Sequence, residues 1–264
     1  MQWRSRYGDT RPKTGHLNTN EEHITVRQIA SSKKHPATQR GWTSTSQLPP
    51  GVPDIDADGD REPLFSTECL KEISYNLFLR EINWPIKRFF LRSQVEVNAS
   101  IRARHIHCLI LTHNALHFLP ETLFLAVSLV DHYLQVRIIV KGNMRRLWIA
   151  ALFLAAKYEE TQGPLVSIRF METMKYISDF QLRDVWEMEK DILRAVNWSL
   201  TRPLSVNFLS RNCKAAQATK VEEMTATYIL EVCLLDYCMA WVKPSRRAAA
   251  ALCCALLLLG RPKD

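Results

Sequence analysis

Glycine is scarce in this sequence, with only 8 glycines among 264 residues. The glycine-rich loop that cradles phosphates and the tight nucleophile turn of many hydrolases are both absent. Histidine, cysteine and aspartate nowhere have the spacing of metal ligands. His105 and His107 lie two positions apart, which directs them to different sides of a helix. The sequence therefore indicates no catalytic activity of its own, no metal site and no cofactor.

Long hydrophobic runs are also absent. The longest, AAAALCCALLLL at residues 248–259, is shorter than the roughly 20 apolar residues that a bilayer-spanning helix requires. No charged segment followed by an apolar one opens the chain, so we expect neither secretion nor a membrane partner. Four of the 7 cysteines lie inside apolar runs, and we expect them to be buried in a reducing compartment: Cys108, Cys233, Cys253 and Cys254.

Positive charge exceeds negative charge, with a formal net charge of +8. Such a chain attracts acidic partners, including nucleic acid. The first 48 residues carry eight Lys/Arg and three acidic residues, and the sequence shows no periodicity up to about residue 60. We therefore expect residues 1–62 to be a disordered basic arm and linker. Because nucleic-acid binding requires basic charge on a folded surface, this distribution does not favour a nucleic-acid partner.

Helical periodicity begins at Ser66 and continues almost to the end of the chain, and no strand pattern is present. The apolar repeat predicts a first helix over residues 66–83 and five more within 95–200, the fifth capped by Ser178 or Asp179. Three further helices are predicted over 204–213, 221–236 and 245–259. Two of these nine predicted helices contain a stretch that is apolar on every side, at 150–156 and at 248–259, which is typical of a helix surrounded by others.

Two pairs of charged residues have more than one interpretation. Arg102 and Asp131 lie in consecutive apolar helices, where they either form a buried ion pair or both reach solvent. Lys157 follows an apolar helix, and Glu189 lies in the fifth helix of the same unit. Lys157 is explained either by the helix dipole, which favours a cation at this end by about 0.3–1 kcal/mol, or by a binding site.

Several segments together resemble the cyclin box. The stretch LAAKYEE at 154–160 is followed by MEKDILRAVNW at 188–198, and both are similar to motifs of that box. The stretches IRAR and PETLFLAVSLVDHYL resemble its first two helices. PLSVNFL resembles the start of a second box, and LLDYCMAWVKPSRRAAAALCCALLLLG is most similar to that box in B-type, G2/mitotic cyclins.

The resemblance implies an all-α cyclin fold with four parts. Residues 1–62 form the arm, 63–94 an N-terminal helix segment, 95–200 a complete five-helix cyclin box and 201–264 a partial second box. The second box of the family has five helices, whereas three are predicted here, so we expect it to be truncated.

The resemblance also implies a function. A cyclin is a regulatory subunit that binds and activates a cyclin-dependent serine/threonine kinase, here at the G2/M transition in nucleus and cytoplasm. The positions that match the family's kinase-binding residues are Lys157, Glu189, Tyr158, Leu193 and Trp198. The pair Arg102 and Asp131 matches a structural clamp. Two alternatives remain: a cyclin-fold transcription-factor-like or nucleic-acid-binding protein, and a degenerate cyclin that binds a kinase without activating it.

The surface that matches the family's substrate-docking patch departs from the usual apolar pattern. It comprises Ile101, Arg104, His105, Cys108, Met144 and Arg145. Its basic side chains replace apolar ones, so recognition of an Arg-x-Leu motif in kinase substrates is not expected. A preference for acidic or phosphorylated sequences is the hypothesis that this charge suggests.

Overall fold

The computed structural model describes residues 67–161 and 181–261, together with positions 55, 170 and 172. The predicted arm at 1–62 and most of the predicted fourth helix of the first box lie outside these residues. Within the described part of the chain the regular structure is helical and no strand is present. No helix there is long and apolar enough to span a membrane.

Eight α-helices occupy the described residues. They are α1 (Thr67–Asn83), α2 (Ala99–Leu116), α3 (Pro120–Val136), α4 (Met144–Glu159), α5 (Leu182–Ala195), α6 (Ser205–Ala215), α7 (Lys220–Leu235) and α8 (Pro244–Leu258). Three short 3₁₀ turns are present at Phe90–Ser93, Lys141–Asn143 and Tyr237–Met239. Phe170 and Glu172 are also helical and lie where a further helix is predicted.

Local sequence signals explain most helix ends. The Asn98 side chain accepts a hydrogen bond from the Ile101 N–H at 2.9 Å and caps α2. Pro120 occupies the first turn of α3, where its missing N–H costs nothing. Helix α5 is different, because it begins at Leu182 with Gln181 at the N-cap. The expected caps, at positions 178 and 179, therefore lie too early in the chain, and both are outside the described residues.

Helix α4 is the centre of the first box. It packs against α2, α3 and α5, and every residue from 147 to 156 is buried. This agrees with a helix that is apolar on all sides. Ala155 is fully buried, and its small side chain allows the neighbouring helices to approach closely.

The three helices of the second box pack mainly against one another, and α7 also contacts α2. Helix α8 buries only one stripe: Ala248, Ala251, Leu252 and Ala255. The expectation that it is surrounded on all sides is therefore wrong for the described residues.

The expected burial of four cysteines is also wrong. Cys108, Cys253 and Cys254 are exposed and Cys233 is partly buried, because each lies outside the stripe of its helix that meets a neighbour.

Candidate functional site

Lys157 and Glu189 meet where the last turn of α4 passes the middle of α5. The Lys157 ammonium group forms a salt bridge with Glu189 Oε1. The Lys157 side chain is 36% exposed and that of Glu189 is 11% exposed, so the pair lies at the edge of the core. The ammonium also lies 4.5 Å from the ring centroid of Phe153. This cation–π contact adds to the salt bridge and holds the lysine in place.

The sequence pattern of α5 explains why the Glu189 side chain faces α4. Val185, Glu189 and Ile192 share one face of the helix, at spacings of four and three residues. Val185 and Ile192 are buried in the core, so the same face carries Glu189 inward toward α4. The Tyr133 hydroxyl fixes α5 from the other side by donating to Asp191 Oδ2 at 2.6 Å. Burial and this acidic neighbour raise the pKa of Tyr133.

Two aromatic side chains lie exposed at the ends of the helices that carry the charged pair, Tyr158 in the last turn of α4 and Trp198 just after α5. Tyr158 follows Lys157 directly and is 46% exposed, and its hydroxyl is hydrogen-bonded to Thr201 Oγ1 at 2.8 Å. Trp198, three residues before Thr201, is 69% exposed. It adopts a left-handed backbone with φ 58°, and its N–H donates to the carbonyl of Leu193, a partly buried residue. Exposed large aromatics of this kind are typical of protein-binding surfaces.

Sequence reasoning missed two residues that shape this end of α4. Phe153 lies four positions before Lys157, and this spacing alone places both on one side of the helix. Glu160 caps α3, because its Oε1 accepts hydrogen bonds from the Leu119 N–H at 2.8 Å and the Thr122 hydroxyl at 2.6 Å. The free N–H groups at the start of any helix are the signal that such a partner is needed.

Arg102 and Asp131 form a buried ion pair between α2 and α3. Both Arg102 Nε and Nη2 donate to the carboxylate at 2.7 Å, and the side chains are 1% and 5% exposed. Arg102 Nη1 donates in addition to the carbonyl of Leu234 in α7 at 2.9 Å. The structure thus brings the pair together, and the same guanidinium connects the first box to the second.

The residues of the altered docking patch do not all reach the surface. Arg104, Cys108 and Arg145 are exposed, and Ile101 is partly buried. Met144 is fully buried, so its assignment to a surface patch is wrong: the first residue of α4 points into the core.

His105 lies between the exposed arginines and the core. Its ring stacks on that of Trp148, with centroids 6.5 Å apart and an interplanar angle of 9°. Burial lowers the pKa of His105, and the charges of Arg104 and Arg145 lower it further.

No group of histidine, cysteine and acidic side chains within the described residues has the arrangement of a metal site. The candidate site is the Lys157–Glu189 pair at the edge of the core, with the exposed aromatic side chains of Tyr158 and Trp198 at the ends of the same two helices.

Comparisons with known proteins agree with these features. The profile of the family described as Cyclin, N-terminal domain matches residues 72–201, and that of Cyclin, C-terminal domain matches residues 203–263. The structure is similar to that of a viral cyclin from herpesvirus saimiri, with a TM-score of 0.64 and 21% identity, over 71% of this chain and 82% of the viral one. The architecture is therefore the all-α cyclin fold.

The sequence itself is similar to G2/mitotic B-type cyclins. It is 36% identical to the G2/mitotic-specific cyclin-B2 of Rana japonica over 211 residues, covering 79% of this chain and 52% of the relative. It is 34% identical to the G2/mitotic-specific cyclin-B of Patella vulgata over 210 residues, covering 79% and 50%. The chain spans about half the length of the curated relatives it matches. The chain belongs to the cyclin family.

Proposed function

We propose that this protein is the regulatory subunit of a cyclin-dependent serine/threonine protein kinase and that it binds the kinase through Lys157, Glu189 and the aromatic side chains beside them. Cyclins regulate kinases and are not enzymes themselves. The observation that carries the proposal is the salt bridge between Lys157 and Glu189 at the edge of the core, next to exposed Tyr158 and Trp198.

The pair is suited to gripping the backbone of a partner. Lys157 has three N–H donors and its salt bridge engages one carboxylate oxygen, Oε1 of Glu189. The remaining donors can reach carbonyl groups, and the second carboxylate oxygen can accept an N–H. Because Phe153 and the salt bridge already restrict the lysine, little side-chain entropy is lost on binding. The exposed rings of Tyr158 and Trp198 supply apolar contact area.

Activation follows from selective binding. A partner that binds the active arrangement of the kinase more tightly than the inactive one shifts the population toward the active form. A tenfold preference corresponds to about 1.4 kcal/mol of difference in binding free energy. The similarity to G2/mitotic cyclins supports a role at the G2/M transition, which we include in the proposal. We further propose that the protein acts in nucleus and cytoplasm.

Kinase capture by the full chain and by variants tests the binding surface. We expect Lys157→Ala and Glu189→Ala each to reduce capture of cyclin-dependent kinases by tenfold or more, since each removes a hydrogen bond to a charged group, worth about 1.5–3 kcal/mol. Lys190→Ala is the matched control, because Lys190 is the exposed neighbour of Glu189. Equal capture by all variants would contradict the proposal.

A charge exchange separates binding from folding. In Lys157→Glu combined with Glu189→Lys the two side chains still attract each other, so the fold is retained, but each presents the wrong charge to the kinase. We expect a small fall in the melting temperature, because the cation–π contact with Phe153 is removed, and a complete loss of kinase capture. Histone phosphorylation by the captured complex then measures activation: capture without a rise in turnover would indicate a cyclin that binds without activating.

A further inference from the structure

A cavity of about 280 Å³ lies apart from the candidate kinase-binding site. It is enclosed by the end of α1, by α3, and by the chain segments that lead into α6 and α8. Part of its wall is apolar and aromatic and includes Trp84, Ile86 and Trp241. The other part carries basic and hydroxyl side chains from distant parts of the sequence. None of Lys157, Glu189 or Arg104 contributes to it.

Arg202 is the central polar residue of the cavity. It is only 5% exposed, and its Nε and Nη2 atoms have no hydrogen-bond partner within the described part of the chain. Its guanidinium group lies 4.2 Å from the ring centroid of Trp84, which holds it against the cavity wall. Burial lowers the pKa of Arg202 to about 10, so the group remains charged at neutral pH. A buried, charged guanidinium with unpaired donors is costly unless something satisfies it.

Two further unpaired donors line the same cavity. Ser205 is 1% exposed, and its hydroxyl has no partner among the described residues. Arg247, in the first turn of α8, has a buried Nε atom that is likewise unpartnered there. Arg202 and Ser205, from the segment that leads into α6, and Arg247, from α8, thus bring buried N–H or O–H groups without a partner among the described residues to the lining of one cavity. Such convergence is typical of a ligand site rather than of isolated packing defects.

The carboxylates of the cavity are already engaged and do not neutralise these groups. Glu81 accepts hydrogen bonds from the Ser245 N–H at 2.7 Å and from the Ser245 hydroxyl at 2.9 Å, which caps the start of α8. Asp131 is held by both donors of Arg102. The charge count of the cavity includes two carboxylates, Glu81 and Asp131, and the guanidinium of Arg102 that pairs with Asp131. The lining adds three further positive charges: Arg202, Lys243 and Arg247. The local surplus is two positive charges, one of which belongs to the exposed side chain of Lys243.

We propose that this cavity binds a phosphate group, with Arg202 as its principal ligand and Ser205 and Arg247 as additional donors. A phosphate dianion matches the surplus of two positive charges, whereas a carboxylate would neutralise only one. Its oxygens accept several hydrogen bonds at once, and guanidinium groups are the donors best matched to them. The apolar wall at Trp84, Ile86 and Trp241 accommodates the organic part of a phosphomonoester. The cavity lining shares no residue with the proposed kinase-binding residues Lys157, Glu189, Tyr158 and Trp198.

Phosphate binding is measured on the full chain by titration calorimetry with inorganic phosphate, at constant ionic strength maintained with chloride. We expect saturable binding to the unaltered chain, a loss of affinity of tenfold or more in Arg202→Gln, and a smaller, severalfold loss in Ser205→Ala. Arg183→Gln is the matched control, since this arginine is exposed on α5, outside the cavity lining. The same titration with N-acetyl-phosphoserine amide distinguishes the source: tighter binding indicates a phosphorylated side chain, and equal binding indicates free phosphate.

Thermal melting separates a ligand role from a structural one. Phosphate that binds only the folded chain raises the melting temperature as its concentration exceeds Kd. We expect this rise in the unaltered chain and its loss in Arg202→Gln and Ser205→Ala, while melting of these variants in phosphate-free buffer is unchanged or higher. If phosphate stabilises all variants equally, or stabilises none more than chloride does, the proposal is wrong.

Discussion

The buried pair of Arg102 and Asp131 allows a sharp test of how this fold is stabilised. Asp131→Ala removes the carboxylate and leaves a guanidinium group that is 1% exposed and that has, among the described residues, the Leu234 carbonyl as its remaining hydrogen-bond partner. Breaking a buried pair by removing one member costs about 3–5 kcal/mol. The free energy of unfolding of a domain of this size is about 5–15 kcal/mol, so the single substitution removes a large share of it.

The double substitution Arg102→Met with Asp131→Leu should behave differently. It removes both charges together and fills their space with apolar groups, so no uncompensated charge stays buried. Replacement of a buried pair by packed apolar residues is neutral or stabilises by about 1–4 kcal/mol. The loss of the hydrogen bond to Leu234 offsets part of that gain by about 1–2 kcal/mol. We therefore expect the double variant to be more stable than either single variant.

Urea unfolding followed by circular dichroism measures these differences on the full chain. The exposed pair Arg183 and Glu187, at 82% and 61% exposure, is the control, and its removal should change the free energy of unfolding by about 0.5 kcal/mol or less. The reasoning is refuted if Asp131→Ala costs no more than this control, or if the costs of the two single substitutions simply add in the double variant.

Three further predictions concern stability. Thr219→Ala breaks the capping box that Thr219 and Glu222 form at the start of α7, and should lower the free energy of unfolding by about 1 kcal/mol in urea. Ala155→Leu places a larger side chain in a fully buried site and should cost about 1–3 kcal/mol by the same measurement, whereas no change would show an unexpected void. Burial and the charge of Arg202 lower the pKa of His132 to about 4. Because the folded chain then binds this proton less readily than the unfolded chain, stability is lost as pH falls from about 6.5 to 4, by about 3 kcal/mol in total. His132→Gln should flatten this pH dependence, and an unchanged slope would contradict it.

Much of the fold could be predicted from the sequence because helix formation is largely local. The proline at 120 and the break before Met144 both predicted where helices begin, and the structure confirms them. The all-apolar centre of α4 predicted a helix enclosed by others, and its residues are buried. The meeting of Lys157 with Glu189 followed from the family resemblance, since periodicity alone also allowed a solvent-exposed lysine.

What periodicity cannot determine is which neighbours a helix has. Helix α8 is apolar on every side, yet only one stripe of it is buried, because α6 and α7 approach from one direction within the described residues. Met144 was expected at the surface for a similar reason: its sequence position gives no sign that the start of α4 points inward.

The proposed phosphate cavity depends entirely on tertiary structure. Trp84, Arg202, Ser205 and Arg247 are spread over more than half of the described chain, and each has an ordinary role in its own segment. Only the folded chain shows that the unpartnered donors of Arg202, Ser205 and Arg247 belong to the lining of one cavity and that the nearby carboxylates are already engaged. The sequence by itself determined the family and the helices, because these depend on local pattern, and the family resemblance supplied the pairing of Lys157 with Glu189. Burial and hydrogen-bond partners were decided by the tertiary structure, since they depend on residues far apart in the chain.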